Sequence, residues 1–293
     1  MNIICFLTLR PSKLFYNFCK KLIKDNYDVY ICIDDNSYNI PDYDNIIKII
    51  KIDNQECINA GFKSTVLYFQ DKACARDKAL YYFCKNDINY NFIWFIEEDV
   101  FLPTSKIIYN LDNKYPNGDL LCREHRKITI KDYKQPIKFV FTNKLITKYN
   151  LHDQKVPFQK VPFGDLVSKI NLGQTEYTVG MISAIRVTKK LMNIINNFAQ
   201  ENKTLFIDEV LFTTLSYKYN LLIITPIEFN TILFNKQWNK NDININNLYH
   251  PIKDINIQYE YRNKKPNVEI ITPHVIHIPP PPKMTKKILY YKK

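Results

Sequence analysis

The sequence is poor in glycine, which limits the kinds of nucleotide site that it can form. Only 5 of its 293 residues are glycine, and this argues against a repeated glycine-rich nucleotide fingerprint. The loop Thr8-Leu9-Arg10-Pro11-Ser12 contains none, although a nucleotidyltransferase needs a basic, glycine-rich first loop to hold a triphosphate. This loop therefore counts against nucleotidyl transfer.

The sequence also lacks membrane-spanning and secretion signals. It contains no run of about 18 apolar residues, so we expect no transmembrane segment. The apolar run at residues 2–9 has neither a basic leader nor a small-residue cleavage site, and it is predicted as a first strand rather than a signal peptide. The 7 cysteines form no CxxC pair and mostly lie in apolar contexts. They are expected to be reduced core thiols in a reducing compartment, the cytoplasm.

The composition is otherwise that of a globular protein with a large core. Hydrophobic residues make up 46% of the chain and charged residues 24%, and no linker divides it, so we expect a single domain. The net charge of +12 suggests an anionic partner. Because the lysines are dispersed and no aromatic-basic stripe occurs, a nucleic-acid-binding protein is the weakest interpretation, and no stable nucleic-acid partner is expected.

Strand and helix patterns alternate along the first 100 residues. Apolar runs predict strands at residues 2–9, 27–33, 46–52 and 92–97, and helical stripes predict helices at about 14–23 and 72–85. This order implies an α/β fold whose sheet begins with parallel strands and right-handed connections.

The second part of the chain returns to the same pattern after an interruption. Beyond residue 100 we predict helices at about 103–111, from Thr188 onward and at about 208–217, and strands at 119–122, 178–186 and 220–225. The last of these is predicted as a core strand. Residues 124–175 lose the periodicity and are predicted as an insertion with a strand at 137–142, since loops of this length are usually functional or disordered.

Three acids stand at the end of the most apolar strand. The run at residues 92–96 leads directly into Glu97, Glu98 and Asp99. Three adjacent carboxylates repel one another unless a cation lies among them, and Mg2+ or Mn2+ prefers oxygen ligands of this kind. A metal site at the strand end and a solvated acidic turn are both compatible with this pattern. Because neighbouring side chains on a strand point to opposite sides, Glu98 is expected to point away from Glu97 and Asp99.

Two further acidic pairs occupy positions where ligands could bind. Asp34 and Asp35 end the second predicted strand, where a carboxylate could hold a ribose or base, or they are plain turn acids. Asp208 and Glu209 lie at a predicted helix N-terminus, where Asp208 could instead be a helix cap.

Together these features resemble the GT-A glycosyltransferases, which use nucleotide-sugar donors and carry an Asp-X-Asp motif at the end of a central strand. Glu97-Glu98-Asp99 matches this motif, with Glu97 in place of the first Asp. The segments that resemble the family span roughly residues 2–255. The resemblance implies a GT-A-like α/β domain with a mostly parallel, mixed central sheet flanked by helices.

The resemblance also implies roles for particular residues. Metal ligands would be Asp99, Glu97 and His250, with His274 and His277 as competitors for the histidine. The implied catalytic base is Glu209, with Asp208 second. Donor and nucleotide contacts would come from Thr8, Arg10, Asp34, Asp35, Arg76, Lys78, Glu97, Glu98, Gly180 and Met181. Residues 124–175 have no recognised equivalent in the family pattern.

The expected activity is the metal-dependent transfer of a sugar, from a nucleotide-diphosphate sugar to an acceptor hydroxyl, with inversion. A UDP-sugar is the first choice of donor, the acceptor would be a glycan, a protein or a small molecule, and the cofactor would be Mn2+ or Mg2+. Residues 1–123 would form the nucleotide-sugar half, 124–175 an acceptor loop region, 176–255 the donor-sugar and acceptor half, and 256–293 a basic, proline-rich tail. The alternatives are a catalytically degenerate nucleotide- or carbohydrate-binding protein and a nucleotidyltransferase.

Overall fold

A computed structural model describes residues 1–24, 26–64, 72–127, 178–205 and 208–263 of the chain. In this part of the chain, seven strands form one sheet in the order β3-β2-β1-β4-β6-β5-β7. The strands are β1 (Asn2–Thr8), β2 (Tyr27–Ile33), β3 (Lys48–Ile50), β4 (Phe92–Glu97), β5 (Leu120–Lys127), β6 (Thr178–Thr188) and β7 (Ile223–Ile224).

The sheet is mixed and mostly parallel. Strands β3, β2, β1 and β4 pair in parallel, and β7 is parallel to β5. Only β6 runs against its neighbours, β4 and β5. This arrangement confirms the predicted α/β class with a mostly parallel, mixed sheet.

Helices cover both faces of the sheet. Described helices are α1 (Lys13–Lys20), α2 (Asn54–Asn59), α3 (Ala75–Lys85), α4 (Ile107–Lys114), α5 (Lys189–Asn202), α6 (Asp208–Lys218) and α7 (Ile255–Asn263). Helices α3, α5 and α6 contribute to the core on one face, and α1 and α4 to the core on the other. No described helix combines the length and the apolar character that a membrane crossing requires.

Strand β4 is apolar because both of its faces are covered. Ile93 and Phe95 point into one core, and Trp94 and Ile96 into the other, since successive side chains of a strand face opposite sides. All four are fully buried. The continuous apolar run is thus the sequence signature of a central strand.

Some predicted boundaries differ from those observed. Helix α3 begins at Ala75 rather than at residue 72, because Cys74 is its N-cap and the Asp77 carboxylate accepts the Cys74 backbone N–H at 3.2 Å. The strand predicted at 220–225 is present but shorter, and it is not a core strand: β7 contains Ile223 and Ile224, both half-buried at the edge of the sheet. Helices α2 and α7 were not predicted, and the predicted strand at 137–142 lies outside the described residues.

Candidate functional site

The candidate site lies where the strand order of the sheet reverses. The chain moves outward from β1 to β2 and β3, and then returns to place β4 on the other side of β1. Ligands of open α/β sheets bind outside the carboxyl ends of strands at such a point. The Thr8 hydroxyl at the end of β1 donates to the Glu98 carboxylate, and the Glu98 N–H donates to the Leu7 carbonyl at 3.0 Å. These bonds tie the acidic loop after β4 to the end of β1.

Glu97, Asp99 and His250 come together although they are far apart in sequence. His250 Nε2 lies 3.3 Å from Asp99 Oδ1 and 3.7 Å from Glu97 Oε2. One ligand atom from each residue lies within 4.8 Å of the others. Two carboxylates and an imidazole at these distances form a donor set that a divalent cation can bridge.

The hydrogen bonds of His250 leave one nitrogen for a ligand. Its Nδ1 lies 2.6 Å from the Leu233 carbonyl oxygen, which can only accept, so Nδ1 carries the proton. Nε2 is then the ring nitrogen that faces the two carboxylates. A histidine that donates its other N–H to a carbonyl is the usual form of a metal ligand, and the residues present therefore fit a divalent cation.

The same geometry excludes a Ser-His-Asp hydrolytic triad at this position. Ser183 Oγ is 3.4 Å from His250 Nε2, the nitrogen that Asp99 also approaches. A triad requires the acid and the serine to bind opposite ring nitrogens. Here the other nitrogen is occupied by a backbone carbonyl.

Arg76 contacts Glu97 from the protein interior. Its Nη2 is 3.2 Å from Glu97 Oε1 and donates to the Ile182 carbonyl at 2.8 Å, while Nη1 is 3.4 Å from Asp208 Oδ2. The side chain is buried. Its charge therefore offsets that of Glu97 and fixes the orientation of this carboxylate from the protein interior.

Asp77, which the sequence analysis did not select, forms a buried acidic pair with Asp208. Cys74 Sγ and one oxygen of each carboxyl lie within 4.8 Å of one another, and among the described residues Oδ1 of each acid has no hydrogen-bond partner. Burial raises the pKa of Asp77 to about 8, and the charge of Asp208 adds to this. Burial also raises the pKa of Asp208, against the opposing effect of Arg76. The run of three charges at 76–78, inside an otherwise apolar helix start, was the signal that could have revealed this pair.

Glu209 is the more exposed of the two acids at the start of α6. It lies half-buried in the first turn of the helix. Burial raises its pKa to about 7, with a smaller contribution from the charge of Asp208. An acid whose pKa is near neutral can act as a general base at working pH.

The end of β2 is organised by Lys78. This fully buried side chain donates to the Asp34 carbonyl at 2.6 Å and to the Asn36 amide oxygen. Asp35 accepts from the Ser37 hydroxyl at 2.7 Å and from Arg10 Nε at 2.6 Å. The Ser37 hydrogen bonds, with Arg10, lower the pKa of Asp35 to about 2. Lys78 thus fixes the loop after β2 from within, and Arg10 pairs with Asp35 at the surface.

Gly180 and Met181 lie in the packed part of β6. A Cβ on Gly180 would be 2.8 Å from the Glu124 carbonyl oxygen and 3.0 Å from Thr213 Cγ2, so close packing of β5, β6 and α6 explains this glycine. Met181 is buried, with its sulfur 3.0 Å from Arg123 Nη1. His274 and His277 lie outside the described residues.

Comparison with models of known protein families finds no match, and neither does comparison with curated proteins. Among solved structures, the chain is similar to the galactosyltransferase LgtC in complex with donor and acceptor sugar analogues, with 10% identity, a TM-score of 0.36, and coverage of 78% of this chain and 74% of that one. It is also similar to mouse xyloside xylosyltransferase 1 in its apo form, with 10% identity, a TM-score of 0.36, and coverage of 80% and 88%. Neither an activity nor a family follows from similarities of this size.

Proposed function

We propose that the chain is a metal-dependent glycosyltransferase, which moves a sugar from a nucleotide-diphosphate sugar to an acceptor hydroxyl. The observation that carries the proposal is the cluster of Glu97, Asp99 and His250 at the end of a central strand. It stands at the reversal of strand order, where nucleotides bind in open α/β sheets. Its ligand atoms lie within 4.8 Å of one another.

Asp99, Glu97 and His250 would hold the cation, Mn2+ or Mg2+. When bound, this ion supplies positive charge beside the diphosphate, which becomes more negative as the sugar leaves. His250 presents Nε2 because Nδ1 donates to Leu233, and Arg76 holds Glu97 in place. The site is therefore organised before the substrate arrives, so little reorganisation is needed during the reaction.

Glu209 is the proposed base, with Asp208 as the second choice. Its carboxylate would remove the proton of the acceptor hydroxyl, whose oxygen forms a bond to the anomeric carbon. The bond from that carbon to the diphosphate oxygen breaks, and its electron pair leaves with the diphosphate. Attack from the side opposite the leaving group inverts the anomeric centre. Asp208 suits the role less well because it is paired with Arg76 and more deeply buried.

The nucleotide would bind at the ends of β1 and β2. Asp34 follows β2, and its backbone N–H donates to the Thr8 carbonyl at 2.8 Å, so the two strand ends form one continuous edge. Carboxylates at this position can accept hydrogen bonds from a ribose. We propose a UDP-sugar as donor and a glycan, protein or small molecule as acceptor.

A thermal-shift panel of nucleoside diphosphates and nucleotide-sugars, with and without Mn2+, tests the ligand class. A ligand at 100 times its dissociation constant stabilises the native state by about 2.7 kcal/mol. We expect stabilisation by one nucleotide series, and only when Mn2+ is present. No shift with any nucleotide would reject the proposal.

An assay of transferred sugar then separates the enzyme from its alternatives. Release of the nucleoside diphosphate with transfer to an acceptor supports the proposal. Binding without turnover would assign the chain to the non-catalytic binding proteins, and release of pyrophosphate from a triphosphate would assign it to the nucleotidyltransferases.

A further inference from the structure

Gln258 of α7 connects the two segments that carry the candidate metal ligands. Its side chain is buried, with 1% of its surface exposed. Nε2 donates to the Glu98 carbonyl at 2.9 Å and to the Ile252 carbonyl at 2.8 Å. Glu98 immediately precedes Asp99, and Ile252 follows His250 by two residues. A single amide group therefore holds both segments.

Backbone hydrogen bonds join the same two segments. The Ile252 N–H donates to the Asp99 carbonyl at 2.8 Å, and Phe101 and Tyr249 exchange backbone bonds of 2.7 and 3.1 Å. These bonds form a short bridge between the acidic loop and the segment of His250. Gln258 closes the end of the bridge nearest to Asp99.

Only a side-chain amide in one orientation satisfies the groups around Gln258. Both neighbours of Nε2 are carbonyl oxygens, and Oε1 accepts from Arg262 Nη2 at 2.8 Å. A rotated amide would place its oxygen against two carbonyls, which cannot donate. The two donors and the acceptor are all used, so the side chain has one stable position.

Arg262 fixes Gln258 against the rest of the protein. Its Nε donates to the Leu102 carbonyl at 2.9 Å, and its guanidinium carbon lies 3.5 Å from the ring centre of Phe18 and 4.9 Å from that of Phe101. Stacking on aromatic rings and bonding in a fixed plane suit a guanidinium. Helix α7 is thus held to the body of the domain on one side and to the metal segments on the other.

We infer that Gln258 is a positioning residue for the metal site, which holds Asp99 and His250 at the separation that binds a cation. This inference rests on the proposed function, because it assigns the cluster to a metal. The side-chain hydrogen bonds of Gln258 run to two backbone carbonyls and to Arg262, so it would act through the backbones of the two segments. Loss of a partner that orients a metal ligand typically lowers metal affinity about 10–100-fold.

Two variants separate positioning of the ligands from docking of the helix. Gln258→Met keeps the length of the side chain but removes every hydrogen bond. Gln258→Glu keeps an acceptor for Arg262 and loses both donors to the metal segments. Tyr109→Phe is the matched control, because it removes one tertiary hydrogen bond, of 2.6 Å to the Leu22 carbonyl, outside the site.

The affinity for Mn2+ alone is measured in the full chain by electron paramagnetic resonance, with near-UV circular dichroism to compare folding. We expect both Gln258 variants to bind Mn2+ at least ~10-fold more weakly and Tyr109→Phe to bind it as the wild type does. Unchanged Mn2+ affinity in both Gln258 variants would overturn the positioning role. A weaker Mn2+ affinity in Gln258→Met alone would also overturn it. Wild-type protein that binds no Mn2+ would remove the proposed function together with the inference.

Discussion

Glu209 is the single residue that we expect to set the pH dependence of sugar transfer. Burial raises its pKa to about 7, and a base acts only when it has lost its proton. We therefore expect kcat/KM for sugar transfer to fall below about pH 7. Glu209→Gln should retain donor binding and lose transfer by at least ~100-fold, the lower range for a general base.

The control for this prediction is Asp208→Asn, which alters the neighbouring charge and leaves Glu209 in place. If Asp208 is not the base, this variant should retain transfer and shift the acidic limb to lower pH, because the charge of Asp208 contributes to the raised pKa of Glu209. Normal turnover in Glu209→Gln, measured by product formation, would place the base elsewhere.

The buried ion pair of Asp112 and Arg186 is a structural feature, remote from the proposed chemistry. Arg186 Nη1 donates to Asp112 Oδ1 at 2.7 Å, and Asp112 also accepts from Trp94 Nε1 at 3.1 Å. Both side chains are almost fully buried. Removing one partner leaves an uncompensated buried charge, which costs about 3–5 kcal/mol.

Asp112→Asn should therefore lower the free energy of unfolding by about 3–5 kcal/mol, measured by urea denaturation. Asp28→Ala, which removes the exposed partner of Lys48, should change it by less than about 1 kcal/mol. Similar effects for the two variants would contradict the assignment of Asp112 to the stabilising core.

Packing between elements explains why β6 contains a glycine. Gly180 lies where β5, β6 and α6 meet, and a methyl group there would be 2.8 Å from a backbone carbonyl oxygen of Glu124, which cannot rotate away. Gly180→Ala should lower the free energy of unfolding by about 1–3 kcal/mol. In Gly118→Ala, the atom nearest to the added methyl group is the end of the flexible Leu121 side chain. Thermal denaturation should therefore show a smaller loss of stability for Gly118→Ala than for Gly180→Ala.

The elements differ in how well their sequences identify them. Strand β4 was predictable because burial on both faces leaves an uninterrupted apolar run. The segment at 220–225 has the same apolar character, but in the described part of the chain β7 pairs with β5 alone, at the edge of the sheet. The apolar pattern of a segment does not show which strands lie beside it. Helix α7 was missed because its apolar residues do not form a stripe.

The residues of the site were predictable to different degrees for similar reasons. Asp99 ends a strongly marked strand, so its place in the sheet follows from local pattern. His250 lies 151 positions later in the chain, and only the family resemblance connected it with Asp99. Gln258 is a polar residue of a helix without an apolar stripe, and nothing local indicates that tertiary packing buries it, whereas Asp77 belongs to a run of three charges in an otherwise apolar helix start.

The buried acids make the free energy of unfolding of the whole protein depend on pH. Burial raises the pKa of folded Asp77 to about 8, whereas an unfolded aspartate has a pKa of about 4. The native state therefore binds more protons between these values, and the free energy of unfolding falls as pH rises through this range.

Asp77→Asn should flatten this part of the profile. One proton corresponds to a slope of up to about 1.4 kcal/mol per pH unit. Urea denaturation from pH 4 to pH 8 measures the slope in both proteins. An equal slope in the variant would show that other groups cause the dependence.

The role of Asp99 in a metal-dependent nucleotide site is tested by calorimetric titration of UDP, with and without Mn2+, into wild type, Asp99→Ala and Asp87→Ala, which alters an exposed acid. We expect Mn2+ to strengthen UDP binding to the wild type and to Asp87→Ala. Asp99→Ala should lose at least ~10-fold in affinity with Mn2+ present, the lower range for damage to a metal site, and should no longer respond to the ion. Unchanged UDP affinity and unchanged metal dependence in Asp99→Ala would show that Asp99 does not bind the cation.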